Sequence, residues 1–226
     1  MKKIPLLLAS GLILLLASCA LEDQSTAARL AAYNAYDRPA TLPTNPKNVR
    51  VKVSLNTSIA YVMEGDKPLL VMPIGVGKPE TPTPTGTFRI YHKEHTRRAN
   101  THGIAINGDT IRRTWLRDKK PGDNFIGTPM PYWSEFKTAY GFHTGWVRPD
   151  PSTHGCIRMH HNIAPKFFRI VSIGTPVHIA RSQPEDATLG KQIMANRPNA
   201  EGLPDRPLEY YRTSQYFTDH KKPQFE

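Results

Sequence analysis

The chain is 226 residues long and carries 30 Lys and Arg against 19 Asp and Glu, a formal charge of +11. A basic surface of this kind favours anionic partners such as envelope polymers or anionic lipid. No recognition-helix pattern accompanies the charge, so nucleic acid is not expected as a partner.

The N-terminus points to the compartment. Lys2 and Lys3 precede the apolar run Pro5 to Leu16, and Ala17 and Ser18 supply small residues before Cys19. A basic start, a short apolar stretch and a small-residue cleavage site read as a secretory signal over 1–18. The run is shorter than the roughly 20 residues a spanning helix needs. LASC resembles a bacterial lipobox, which implies that Cys19 is lipidated and becomes the new N-terminus. Ala20, where an Asp would retain the protein at the inner membrane, implies the outer membrane of a diderm cell. The expected location is therefore the cell envelope, on its periplasmic side, with the membrane reached through the lipid. Residues 19–47 read as a lipidated tether, with a short helix over Thr26 to Ala35 ended by Pro39, Pro43 and Pro46. Cys156, the second of the two cysteines, is then a lone thiol in an oxidising compartment. Free Cys is often a small buried hydrophobe, so its neighbours must decide its role.

From Val49 the pattern turns to period two. Val51, Val53 and Leu55 alternate with Lys52, Ser54 and Asn56, and Ile59 to Met63 follows as a second strand. Glu64-Gly65-Asp66-Lys67 signals a hairpin into a strand over Leu69 to Val76. After a Pro/Thr-rich loop from Gly77 to Gly86, strands are expected over Thr87 to His92, Ile104 to Asn107 and Pro176 to Ala180. Asn162 is placed to cap a helix over Ala164 to Val171, and Leu189 to Asn196 suits another short helix. Short, closely spaced strands define a mostly β domain over 48–180. The polar, Pro-rich extension 181–226 either wraps the core or is loosely ordered.

Gly141 to Met159 reads GFHTGWVRPDPSTHGCIRM. A thiol becomes a useful nucleophile when a base takes its proton or a cation lowers its pKa. His154 lies two residues from Cys156, so an extended segment would put both on one face. His143 is farther upstream and needs the chain to fold back, which Arg148-Pro149-Asp150-Pro151 favours. The amides of Gly155 and Cys156 could hold an oxyanion. A metal cluster of His154, Cys156 and His160 lacks the short ligand pairs of zinc sites, so neither metal nor cofactor is expected. His92, His95 and His102 sit in a polar stretch and read as solvated. Trp115, Trp133 and Trp146 suit a glycan groove or the aromatic core.

THGCIRM resembles the signature of the YkuD-type L,D-transpeptidase catalytic domain. The segment Val51 to Ile90, including the TPTG loop at Thr83 to Gly86, and MPYW at Met130 to Trp133 are similar to further parts of that family, in the same order. The resemblance covers roughly residues 48–180. It implies a β-sandwich with a short helix beside the active-site loop, and an enzyme acting on peptidoglycan stem peptides through a cysteine thioester. Carbapenems acylate this family. The resemblance implies Cys156 as nucleophile, His143 as base, and Thr144 as the residue whose carbonyl orients the imidazole. His154 and Gly155 fall at positions lining the oxyanion site, Tyr132 and Trp133 fall on the substrate side, and Arg158 falls where the family often has Asn or Arg, which implies support of the loop or of a substrate carboxylate. The family usually has Gly directly after the base, where this chain has Thr144. The thioester could be resolved by an amine of a neighbouring stem or a lipoprotein, or by water, which would make the enzyme a carboxypeptidase or hydrolase. A non-catalytic wall-binding lipoprotein is the third possibility.

Overall fold

A computed structural model describes residues 25–226; the expected leader and Cys19 lie outside the described residues. The chain divides into two compact units, 1–35 and 36–226. Within the first, residues 25–35 form helix α1.

The second unit is built on one nine-stranded sheet. Its strands are β1 (Val49–Ser54), β2 (Ile59–Glu64), β3 (Lys67–Gly75), β4 (Gly86–Arg89), β5 (His92–Glu94), β9 (Trp133–Lys137), β10 (Tyr140–Thr144), β11 (Ile157–Met159) and β12 (Pro176–Ala180), in the order β4-β12-β1-β2-β3-β11-β10-β9-β5. Strands β6 (Arg98–Asn107), β7 (Thr110–Trp115) and β8 (Asn124–Pro129) form a separate sheet, ordered β7-β6-β8. The long sheet turns at β3, which pairs with β2 along its length and with β11 through Ile74 and Gly75. Its two halves then face each other across a single core. Val51, Val53 and Val62 of one half share that core with Phe142, Ile157 and Met159 of the other, and with Phe167 of helix α2 (Ala164–Ile170). Phe88 on β4 meets Phe136 on β9, with ring centroids 5.3 Å apart. This is a mostly β sandwich closed by a short helix.

Local chemistry explains each edge of the sandwich. Gly65 takes φ +60 between Glu64 and Lys67, the registered pair that closes the β2–β3 hairpin. Strand β2 is buried on both faces: Ala60 and Val62 point into the main core, while Ile59, Tyr61 and Met63 pack under Ile193 of helix α3 (Leu189–Met194). The C-terminal extension thus wraps the sandwich. Asp186 anchors it by accepting hydrogen bonds from Ser54 Oγ (2.8 Å), Thr57 Oγ1 (3.0 Å) and Tyr61 Oη (2.7 Å).

The structure departs from the sequence reading in three places. The strand expected over Thr87 to His92 is broken, because the chain there crosses between the two halves: Ile90 N–H bonds Thr175 O and Tyr91 N–H bonds Glu135 O. Asn162 does not cap α2. Its amide donates to Tyr36 O (2.8 Å) and its carbonyl accepts from Lys221 N (2.9 Å), so it ties two distant segments together. Strands β7 to β10 carried no apolar alternation. β7, for example, is exposed or half-buried throughout.

Candidate active site

Two short strands set the site. β10 and β11 run parallel, with Phe142 opposite Ile157, His143 opposite Arg158 and Thr144 opposite Met159. Side chains alternate along a strand, and Phe142, Ile157 and Met159 are fully buried in the core. His143, Arg158 and Cys156, two residues before Arg158, therefore share the opposite face. There they line a cleft of about 290 Å³ together with His102, His154 and Trp146.

His143 is held in one tautomer. Its Nδ1 lies 2.8 Å from Thr144 O, and a carbonyl can only accept, so the proton sits on Nδ1 and Nε2 is the basic nitrogen. Behind the ring stands Trp133, with centroids 6.0 Å apart. The same indole lies where a side chain on Gly141 would be, 2.8 Å from an ideal Cβ. Thr144 is accommodated because it continues β10 in extended geometry, where a β-branched residue fits. The adjacent Gly145 is the restricted position, since a Cβ there would meet Arg158 Cδ at 2.8 Å.

The loop that carries Cys156 is strapped from beneath. Thr153 Oγ1 accepts from Gly155 N (3.0 Å) and donates to Cys156 O (2.6 Å). Thr83 Oγ1 donates to Gly155 O (3.0 Å) while accepting from Gly77 N (2.9 Å). Gly155 itself takes φ +105, and a Cβ would lie 2.5 Å from Tyr140 Cε1. The Gly155 amide is thus occupied by Thr153 rather than free for an oxyanion, and of the expected amide pair Cys156 N–H is the one that Thr153 does not hold.

Burial dominates the electrostatics. It pushes His143 down to about 3, helped by the Arg158 charge and opposed by the Thr144 carbonyl. It also pushes the Cys156 thiol up, against the Gly141 backbone and Arg158, which stabilise a thiolate. At neutral pH the two groups are accordingly a neutral imidazole and a neutral thiol. The thiol points to Ala139 O at 3.6 Å.

Several expectations are corrected. His154 is not in extended register with Cys156. The bend at Gly155 leaves it exposed, its ring 5.6 Å from Trp115 and 5.9 Å from His102. His102 is not solvated but half-buried on the cleft wall. Tyr132 and Trp133 are buried behind the cleft rather than on its wall. Tyr132, at φ +60, has its hydroxyl on His220. His160 is fully buried against Tyr36, away from His154. Sequence reasoning did not single out Thr153, Arg113, Arg148, Tyr211 or Tyr216, which also line the cleft. Thr153 lay inside the quoted motif. The tyrosines lie 52 and 57 residues beyond its last residue, Met159, in a segment whose aromatic density was the one available signal.

The L,D-transpeptidase catalytic-domain (YkuD) family model matches residues 48–179, more than half of the chain, and the chain belongs to that family. It is similar to L,D-transpeptidase 1 of Mycobacterium tuberculosis, 27% identical over 137 residues that span 56% of this chain and 48% of the relative. The chain thus spans about half the length of that curated relative. Among solved structures it is similar to an L,D-transpeptidase from Mycobacterium smegmatis (21% identity, TM-score 0.45, covering 59% of this chain and 58% of that one). Another is the L,D-transpeptidase from Stackebrandtia nassauensis (20% identity, TM-score 0.45, covering 70% and 66%).

Gly155→Ala tests the strapped loop. It is expected to destabilise the protein by about 1–3 kcal/mol, read from urea unfolding. Unchanged stability would show that the loop tolerates a side chain.

Proposed function

We propose that the protein is an L,D-transpeptidase acting on peptidoglycan stem peptides through a Cys156 thioester. One observation supports this above the others: a half-buried thiol and an imidazole with its Nδ1 fixed on Thr144 line the same cleft, the imidazole on β10 and the thiol immediately before β11. In this reading His143 Nε2 takes the thiol proton as Sγ attacks the carbonyl between an L- and a D-residue. A C–S bond forms, and the C–N bond breaks as the imidazolium returns the proton to the departing D-Ala amine. An amine of a second stem or of a lipoprotein then attacks the thioester and releases the thiol. The Cys156 amide faces the developing oxyanion, and His154 shapes its rim. No step calls for a metal or diffusible cofactor. Incubation with muropeptides followed by digestion separates the outcomes: cross-linked dimers support transpeptidation, trimmed tripeptides point to hydrolysis, and unchanged material contradicts catalysis on stem peptides.

The roles of the two histidines separate by pH. Because burial holds His143 far below its ordinary range, its Nε2 is unprotonated across the neutral range and open to the thiol proton as a weak base, and Cys156→Ala is expected to abolish acylation by a stem peptide or a carbapenem. His143→Ala is expected to lower the acylation rate most near neutral pH and to recover in part at high pH, where the thiol ionises unaided. His154→Ala should cost less, up to about 10²-fold, with little recovery. The acylation rate against pH, with intact mass, checks all three. Recovery confined to His154→Ala would reverse the roles.

The proposed location is the periplasmic side of the envelope, anchored by lipid on Cys19. Cys19→Ser is expected to release the protein from membranes or leave the leader uncleaved. Unchanged fractionation and mature mass would reject the anchor.

A further inference from the structure

Three guanidiniums line the cleft beside Cys156: Arg113 from β7, Arg148 from the loop after β10, and Arg158 from β11. Arg113 is partnered within the chain. It donates to Asp205 Oδ2 (3.0 Å) and Tyr211 Oη (3.2 Å) and lies over the Tyr211 ring. The other two are not paired with a carboxylate among the described residues. Arg148 Nε is closed off from water without an acceptor. Arg158 is half-buried, the charges that bear on it most are Arg148, the thiol and two tyrosines, and Asp205, which also lines the cleft, is taken up by Arg113. Two like charges set together in a partly desolvated site cost several kcal/mol unless an anion joins them. Their planar forks suit a carboxylate.

The far wall comes from the C-terminal extension, beyond the residues that the family model matches. Tyr211 and Tyr216 line the cleft with their rings 5.4 Å apart. The segment is fixed rather than draped. Ala200 N–H bonds Val147 O (3.0 Å), next to Arg148. Arg98 donates to both Tyr211 O (2.8 Å) and Gly127 O (3.0 Å), and its guanidinium lies over the Phe217 ring. Gly145 keeps room for the Arg158 stem. Both arginines thus line the one cleft that also holds Cys156, Tyr211 and Tyr216.

We propose that Arg148 and Arg158, closed by Tyr211 and Tyr216 of the C-terminal extension, form a subsite for a free carboxylate of the acyl donor. The proposal deepens the transpeptidase reading and rests on it for the identity of the donor. Two carboxylates of a stem peptide could fill the subsite, the terminal one that departs with D-Ala or one on a side chain, and both present the same chemistry. Tyr216, kept protonated because burial pushes it up to about 12, can donate to the bound oxygen.

The test has a readout independent of turnover. In the mature, full-length protein the arginine Nε–H signals are followed by NMR while N-acetyl-D-alanine is added, with N-acetyl-D-alaninamide as control. Shifts of the Arg148 and Arg158 signals with the acid and not the amide support the subsite. Absence of shifts with the acid, or equal shifts with both, overturns it. Arg148→Gln should raise KM for a stem tetrapeptide about tenfold or more with kcat little changed, because one bidentate charge-assisted contact is lost. Arg148→Lys should fall between, and Tyr216→Phe, which keeps the packing, should raise KM less. Donors amidated at the terminus or at the side chain identify the carboxylate: the one whose amidation removes the effect of Arg148→Gln is the ligand. If neither amidation does so, the subsite is overturned. Arginine shifts in a protein that turns over no stem peptide would sustain the subsite and sink the transpeptidase reading.

Discussion

The parallel pairing of β10 with β11, three registered residue pairs long, decides which side chains meet in the cleft. Because neighbours in register share a face, the pairing sends Phe142, Ile157 and Met159 into the core and turns His143, Arg158 and Cys156 outward together. The core side holds the outer side in place: a slip of one residue would exchange buried apolar side chains for a guanidinium and an imidazole, at a cost no sandwich of this size could absorb. Parallel strands need a crossover, and the loop between Thr144 and Ile157 supplies it, carrying Arg148, Thr153 and Gly155 to their places on the way.

Burial then sets the chemistry. The desolvation that keeps His143 neutral also raises Cys156, so no thiolate–imidazolium pair is stored at rest. Thr144 O fixes the proton on Nδ1, Trp133 and Gly141 fix the ring, and Arg158 bears on both His143 and Cys156. Its charge favours the thiolate and disfavours the imidazolium. Burial acts against both charged forms, and on Cys156 it outweighs Arg158, so both groups rest neutral.

How much of this could be read from the sequence depended on how local its causes were. The hairpin of β2 and β3 was legible because Gly65 and the alternating apolar residues state it within a dozen positions. THGCIRM marked the nucleophile loop because the chemistry of a thiol beside glycine is local as well. His154 was misplaced because the sequence does not show that Gly155 adopts a positive φ and turns the histidine out of register. The strands over Thr110–Trp115 and Asn124–Pro129 were missed because their sheet is largely exposed and needs no apolar period. The tyrosine-lined wall was invisible for a different reason: Tyr211 and Tyr216 reach the cleft through tertiary ties such as Arg98 to Tyr211 O, and no local pattern encodes those.

The central claim is that His143 and Cys156 rest as a neutral pair with the imidazole proton on Nδ1. Nitrogen-15 NMR of the His143 ring, titrated from about pH 5 to about pH 8, measures this directly. The structure predicts one protonated nitrogen, Nδ1, and one bare nitrogen, Nε2, with shifts that stay constant across the range. An imidazolium pattern at neutral pH, lost on Cys156→Ala, would contradict it and assign the resting state to an ion pair.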